Sequence, residues 1–167
     1  MAITRRNTVM LLGGAAMLAG IGSLFGRGTR ATAAGTFEVT KTEAEWRAIL
    51  TPEQYAILRD HDTERAGSSP LNAEKRAGVF HCAGCDLPVY SSEAKYESGT
   101  GWPSFWESLP DAIGTSTDTS FFMTRTECHC RRCGGHFGHI FDDGPQPTGK
   151  RHCLNGLALT FKPATPA

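Results

Sequence analysis

Two hooks of the form Cys-x-x-Cys constrain this 167-residue chain more than any other feature: Cys82-Ala83-Gly84-Cys85 and Cys130-Arg131-Arg132-Cys133. Thiols three residues apart around a tight turn converge, and two such pairs supply four donors for one tetrahedral ion. Gly84 inside the first hook and Gly134-Gly135 after the second allow those turns. The 44 residues between the hooks are more than a compact zinc ribbon needs, so strands must intervene. A pair of disulfides in an oxidising compartment, or two redox-active pairs, would use the same residues. The doubled hook favours one structural Zn²⁺ held by Cys82, Cys85, Cys130 and Cys133.

Residues 1–33 read as a targeting segment rather than part of the fold. Arg5-Arg6 precedes an apolar run from Val9 to Phe25, and Ala31-Thr32-Ala33 offers a small-x-small cleavage site. The adjacent arginines suggest the twin-arginine route and a periplasmic destination, with only transient membrane contact. A retained anchor is the alternative. The run spans 17 residues, the low end of what crosses a bilayer, and its glycines weaken it as a helix. Of the 17 basic residues, four (Arg5, Arg6, Arg27 and Arg30) precede Ala34; 13 then remain against 17 acidic ones, a net charge of −4. That balance disfavours a phosphate backbone as partner and argues against a nucleic-acid module.

Residues 34–41 read as a tether, 42–162 as the folded domain and 163–167 as a tail. Thr42-x-x-Glu45 and Thr51-Pro52-x-Gln54 are capping boxes that open two short helices, with Tyr55, Leu58 and Ile57 facing the core. His61 to Ala73 is turn-rich and reads as a loop. From Gly78 the pattern changes to short strands with Gly/Pro turns: Val79–His81, Leu87–Tyr90, Ser120–Thr126, His136–Phe141 and Leu154–Phe161. Residues 98–103 and 143–149 read as loops, and no sequence repeat is present. The expected fold is mainly β, with antiparallel sheets around a four-cysteine zinc site and short N-terminal helices.

Cys153 stands apart from the hooks in Arg151-His152-Cys153-Leu154-Asn155. A strand beginning there would align Arg151, Cys153, Asn155, Leu157, Leu159 and Phe161 on one face. A cation beside a thiol favours the thiolate, which is the nucleophile. A small buried cysteine is the other reading. His136 and His139, three apart, would point to opposite faces of a regular strand, although Gly138 permits a bulge that joins them.

Three motifs occur in order: Ser98-Gly99-Thr100-Gly101-Trp102-Pro103-Ser104-Phe105, Gly134-Gly135-His136-Phe137-Gly138-His139-Ile140-Phe141-Asp142-Asp143-Gly144-Pro145 after the second hook, and Arg151-His152-Cys153-Leu154-Asn155. Together with the hooks they resemble the signature of B-type methionine sulfoxide reductases, from about Trp46 to Phe161. The resemblance implies an Mss4-like, β-tent fold and reduction of methionine-R-sulfoxide, free or in proteins. It implies Cys153 as nucleophile, forming a sulfenic acid. His136, His139, Asp143 and Arg151 become the polar network that assists it, with Trp102 and Asn155 contacting substrate. It also implies a thioredoxin-like reductant and repair of oxidised proteins by what is expected to be a monomer. Many members carry a resolving cysteine where this chain has Thr100. Cys128 is then the remaining candidate resolving thiol, or else a small strand side chain alternating with Phe122, Thr124 and Thr126, or a competitor for the zinc. The stretch Arg65–Pro70 lacks the family's common Thr-Glu-Pro run. Two other classes fit the hooks alone: a zinc-ribbon-like protein-binding module, which needs none of Cys153, His136 and His139, and a thiol–disulfide oxidoreductase, which needs metal-free hooks.

Overall fold

The structure is a computed structural model that describes residues 37–120 and 123–165. The expected targeting segment, the first residues of the tether and Phe122 lie outside the described residues. From Phe37 the chain already leans on the second hook: the Val39 amide donates to the Arg132 carbonyl at 3.0 Å.

Both helices form where the capping boxes place them. Helix α1 spans Glu43–Ile49 and α2 spans Pro52–Asp60. Thr42 and Thr51 each accept from the third helical amide, while Glu45 and Gln54 reach back to the cap amide. Those four bonds satisfy N–H groups that no helical carbonyl can reach. Tyr55, Ile57 and Leu58 are buried, as the pattern required.

Among the described residues nine strands follow, all paired antiparallel: β1 (Gly78–Cys82), β2 (Pro88–Ser91), β3 (Lys95–Tyr96), β4 (Ser104–Phe105), β5 (Ile113–Asp118), β6 (Arg125–Cys130), β7 (His136–Phe141), β8 (Arg151–Leu154) and β9 (Leu159–Pro163). They build a three-stranded sheet in the order β2-β1-β9 and a six-stranded sheet in the order β3-β4-β8-β7-β6-β5. The core holds Phe80, Val89, Tyr90, Phe105, Cys128, Phe137 and Leu154, all fully buried. Phe105 meets Phe80 edge-on at 5.0 Å and Tyr90 at 4.6 Å between centroids. Each such ring contributes roughly 1.5–3 kcal/mol by burial.

Several local expectations are corrected. The strand expected at Ser120–Thr126 begins only at Arg125 and runs to Cys130, and its neighbour β5 was not anticipated. The β5 sequence Ile-Gly-Thr-Ser-Thr-Asp is polar because it lies at a sheet edge and buries little. The expected strand Leu154–Phe161 is broken by a 3-10 turn at Gly156–Ala158, so β8 and β9 join different sheets. The single face proposed from Arg151 to Phe161 therefore survives only for Arg151 and Cys153. The loop His61–Ala73 closes with a 3-10 turn at Pro70–Ala73, and Pro163 still pairs with Gly78.

Candidate active site and metal centre

One row of paired residues crosses the whole six-stranded sheet: Tyr96, Ser104, Cys153, His139, Glu127 and Ser116. Directly paired side chains share a face with Cβ atoms about 4.5–5.5 Å apart, so Cys153 lies between Ser104 and His139. The next row, Cys128, Gly138 and Leu154, faces the opposite way, into the core. Register alone thus puts Cys128 and Cys153 on opposite faces of the sheet.

His136 joins the Cys153 face through a bulge. Cys128 pairs with Gly138 and His129 with His136, leaving Phe137 unpaired and turned into the core. The two imidazoles meet at 5.5 Å between centroids. Gly138 is required there, since a Cβ would sit 2.1 Å from the Cys153 carbonyl oxygen.

Two carboxylates that sequence reasoning missed hold these histidines. Asp118 Oδ2 lies 2.8 Å from His139 Nε2 and accepts from Arg125 Nη2 at 2.7 Å. Burial pushes the Asp118 carboxyl up, but hydrogen bonds from Ser120, His139 and Arg125 outweigh it and hold the group well below the usual carboxylate range. Glu127 Oε1 lies 2.7 Å from His136 Nδ1 and 3.0 Å from His61 Nδ1, and Ser116 donates to Oε2. Glu127 is likewise driven up by burial and down further by those three partners. With donors on both oxygens, His61, Glu127 and His136 form a satisfied hydrogen-bonded cluster. Burial lowers the His139 imidazole, and its bond to Asp118 partly offsets this. The missed signal was the polar alternation Arg125, Glu127, His129 on β6 opposite Ser116 and Asp118 on β5.

Cys153, His139, Trp102, Asn155, Phe141 and Arg125 line a cleft of about 130 Å³. Trp102 is fixed by its Nε1, which donates to the Glu64 carbonyl at 3.1 Å. Asn155 is buried, and its amide is spent on backbone: Oδ1 accepts from Glu64 N at 3.0 Å and Nδ2 donates to Phe137 O at 3.0 Å. Glu64, also missed, is a hub. Its Oε1 accepts the Gly156 amide at 2.5 Å, and burial raises its carboxyl. Glu64 therefore ties the loop before Arg65 to both cleft walls. Arg151 grips Asp143 with two bonds of 2.8 Å and stacks over Phe141 at 4.5 Å. Tyr96 Oη, in the Cys153 row, is buried without a hydrogen-bond partner.

The four hook thiols converge, with all Sγ atoms within 4.8 Å of one another. Cys82 and Cys133 lie 3.7 Å apart, Cys85 and Cys130 3.5 Å. A tetrahedron with metal–sulfur bonds of ~2.3 Å has edges of ~3.8 Å, so the set fits one ion. Disulfide sulfurs would be ~2.05 Å apart, and all six cysteines are free thiols. One hook ends β1 and the other ends β6, so the centre links the two sheets.

The SelR domain family model matches residues 50–163. The chain is 52% identical over 125 residues to the peptide methionine sulfoxide reductase MsrB of Methanosarcina barkeri, covering 74% of this chain and 88% of that one. The enzyme of the same name from Pseudomonas putida is 50% identical over 127 residues (75% and 96%), and that of Thiobacillus denitrificans 52% over 124 (74% and 94%). With the fold and the four-thiol cluster agreeing with these matches, the chain belongs to the B-type peptide methionine sulfoxide reductases of the SelR family and is an oxidoreductase.

Proposed function

We propose that the chain reduces methionine-R-sulfoxide, free or in proteins, to methionine through Cys153. The observation that carries this reading is the placement of Cys153 beside His139 in a cleft walled by Trp102. The Cys153 thiolate attacks the sulfoxide sulfur. The oxygen passes to Cys153 as a sulfenic acid, and methionine leaves. Oxygen is a poor leaving group until it gains a proton, so an acid must stand near it. His139 is suited to this role: with Nε2 held by Asp118, proton exchange with substrate falls to Nδ1. Arg151, anchored by Asp143, places a cation two residues from Cys153 on the same face of β8. Trp102 offers an apolar wall to the S-methyl group, and sulfur–aromatic contact is favourable. Methyl on one side and oxygen on the other selects one epimer. His136 reaches the substrate side only through its packing on His139.

Two equivalents of an external thiol, such as a thioredoxin-like dithiol, then convert the sulfenic acid to thiol with release of water and a disulfide. Direct reduction is favoured over a Cys128–Cys153 disulfide because Cys128 is fully buried on the other sheet face. Zn²⁺ at Cys82, Cys85, Cys130 and Cys133 supplies a structural clamp and no step of the chemistry. Residues 1–33 are read as a twin-arginine export signal to the periplasm, and the domain as a monomer that repairs oxidised proteins.

The test is turnover on separated sulfoxide epimers with zinc measured on the same sample. Reduction of the R epimer alone, lost in Cys153→Ser, with one zinc per chain is the expected result. Equal activity on both epimers removes the Trp102 wall, and normal turnover by Cys153→Ser removes the nucleophile.

A further inference from the structure

A chain of hydroxyls ends on the Cys153 sulfur. Thr100 Oγ1 is 3.8 Å from Cys153 Sγ and 2.8 Å from Ser98 Oγ. Ser98 Oγ is 2.7 Å from Ser104 Oγ, which donates to the Trp102 carbonyl at 3.1 Å. Each hydroxyl carries one proton, so the direction of every bond follows from the last. A carbonyl only accepts, so Ser104 donates to it. Ser98 must then donate to Ser104, and Thr100 to Ser98. The remaining bond requires the Cys153 S–H to donate to Thr100. The chain as it stands is therefore the partner of a thiol.

A thiolate has no proton to give and needs a donor instead. Turning the three hydroxyls round satisfies it: Thr100 donates to sulfur, Ser98 to Thr100 and Ser104 to Ser98. Only the bond to the Trp102 carbonyl is lost. No proton leaves by this path, because it ends on a carbonyl, which is too weak a base to keep one. The thiol proton must depart on the cleft side.

We propose that Thr100, backed by Ser98 and Ser104, is a further catalytic residue: a hydroxyl array whose polarity reverses as Cys153 ionises, so that Thr100 donates a hydrogen bond to the thiolate and afterwards to the sulfenic sulfur. The proposal rests on Cys153 as the nucleophile. The oxygen-transfer step keeps its balance, because the array gains and loses no proton overall. It gives the threonine at this position a role of its own rather than merely the loss of a second thiol.

The other groups facing Cys153 are Arg151 on its own strand, His139 on β7 and Tyr96 on β3, with Asp143 behind Arg151 and Cys128 behind the sheet. All are kept in the variants compared, so their influence cancels. The experiment uses the zinc-loaded protein and follows two readouts in wild type, Thr100→Val, Thr100→Ser and Cys153→Ser. One is the rate of iodoacetamide alkylation at Cys153 against pH; the other is the single-turnover rate of sulfoxide reduction without added thiol. In Thr100→Val, alkylation at neutral pH should fall roughly tenfold, the scale of one hydrogen bond to a charged group. Its pH profile should move upward and converge with wild type at high pH, and single turnover should slow alongside. Thr100→Ser should restore both. Should Thr100→Val fail to fold, Thr100→Ala against Thr100→Ser provides the same contrast. Wild-type alkylation and turnover without the hydroxyl, while Cys153→Ser is inactive, would overturn the array and leave the nucleophile standing. Activity in Cys153→Ser would overturn both.

Discussion

At the scale of single residues, the site is a set of side chains whose partners define what each can do. His139 is held by Asp118, which hydrogen bonds keep ionised. Asp118→Asn should lower turnover about 10–100-fold while leaving metal content unchanged, since it removes the charge that orients and supports the proposed acid, His139, rather than His139 itself. Steady-state rates with zinc analysis check this. A second residue-scale prediction concerns Thr100, whose hydroxyl lies 3.8 Å from the Cys153 sulfur. Thr100→Cys should place two thiols within reach of a disulfide. After one equivalent of sulfoxide, that variant should lose two free thiols under denaturing, chelated conditions, against one in wild type. Loss of two thiols in wild type, prevented by Cys128→Ser, would instead show an intramolecular route. His152 carries a third prediction. It is buried against Tyr90 at 3.0 Å, and burial lowers its imidazole to about 4. Between about pH 6.5 and 4 the unfolded chain binds a proton here that the folded chain does not. The contribution is therefore complete above about pH 6.5 and is lost as pH falls toward 4, by at most about 3 kcal/mol. Denaturant unfolding of wild type and His152→Gln across pH 4–7 tests this. The gap between the curves should narrow as pH falls, and subtraction removes the thiolate protonation common to both.

At the scale of elements, β7 is the strand that makes the site. Its bulge turns Phe137 into the core and puts His136 and His139 on the Cys153 face. Close approach to β8 depends on Gly138 having no side chain. Gly138→Ala should shift the β7–β8 pairing, destabilise the fold by about 1–3 kcal/mol and cut turnover more steeply than stability. Chemical denaturation and kinetics on one preparation separate the two effects. How legible such elements were in sequence varied with burial. Helices α1 and α2 announced themselves through local capping chemistry. Strand β7 was readable from its aromatic and apolar residues. Strand β5 was not, because an edge strand of Thr, Ser and Asp has no apolar period to reveal it. The break at Asn155 was hidden because Leu154–Phe161 alternates well enough to pass for one strand.

At the scale of the whole molecule, the two sheets meet at the four-thiol centre and at the aromatic core of Phe80, Tyr90 and Phe105. The hooks end β1 and β6, which belong to different sheets, so an ion there restrains both. Cys82→Ser should abolish stoichiometric zinc and lower the thermal midpoint markedly, because metal binding and folding are one equilibrium. Activity should fall in step with the folded fraction, as the centre lies outside the cleft. A metal-free wild type of full stability would contradict the clamp.

The sequence by itself determined the parts whose physics is local. Capping boxes declare helices, paired hooks declare a four-thiol cluster, and the ordered motifs around Trp102, His139 and Cys153 declare the family. The tertiary structure alone decided the partnerships. That Asp118 would hold His139, that Glu127 would gather His61 and His136, and that Glu64 would brace Trp102 and Asn155 depend on strand register and loop docking across up to 91 residues of chain. The relation of Cys128 to Cys153 was decided in the same way. Pairing Gly138 with both Cys128 and Leu154 sets the two thiols on opposite sheet faces, a parity that no spacing along the chain can encode.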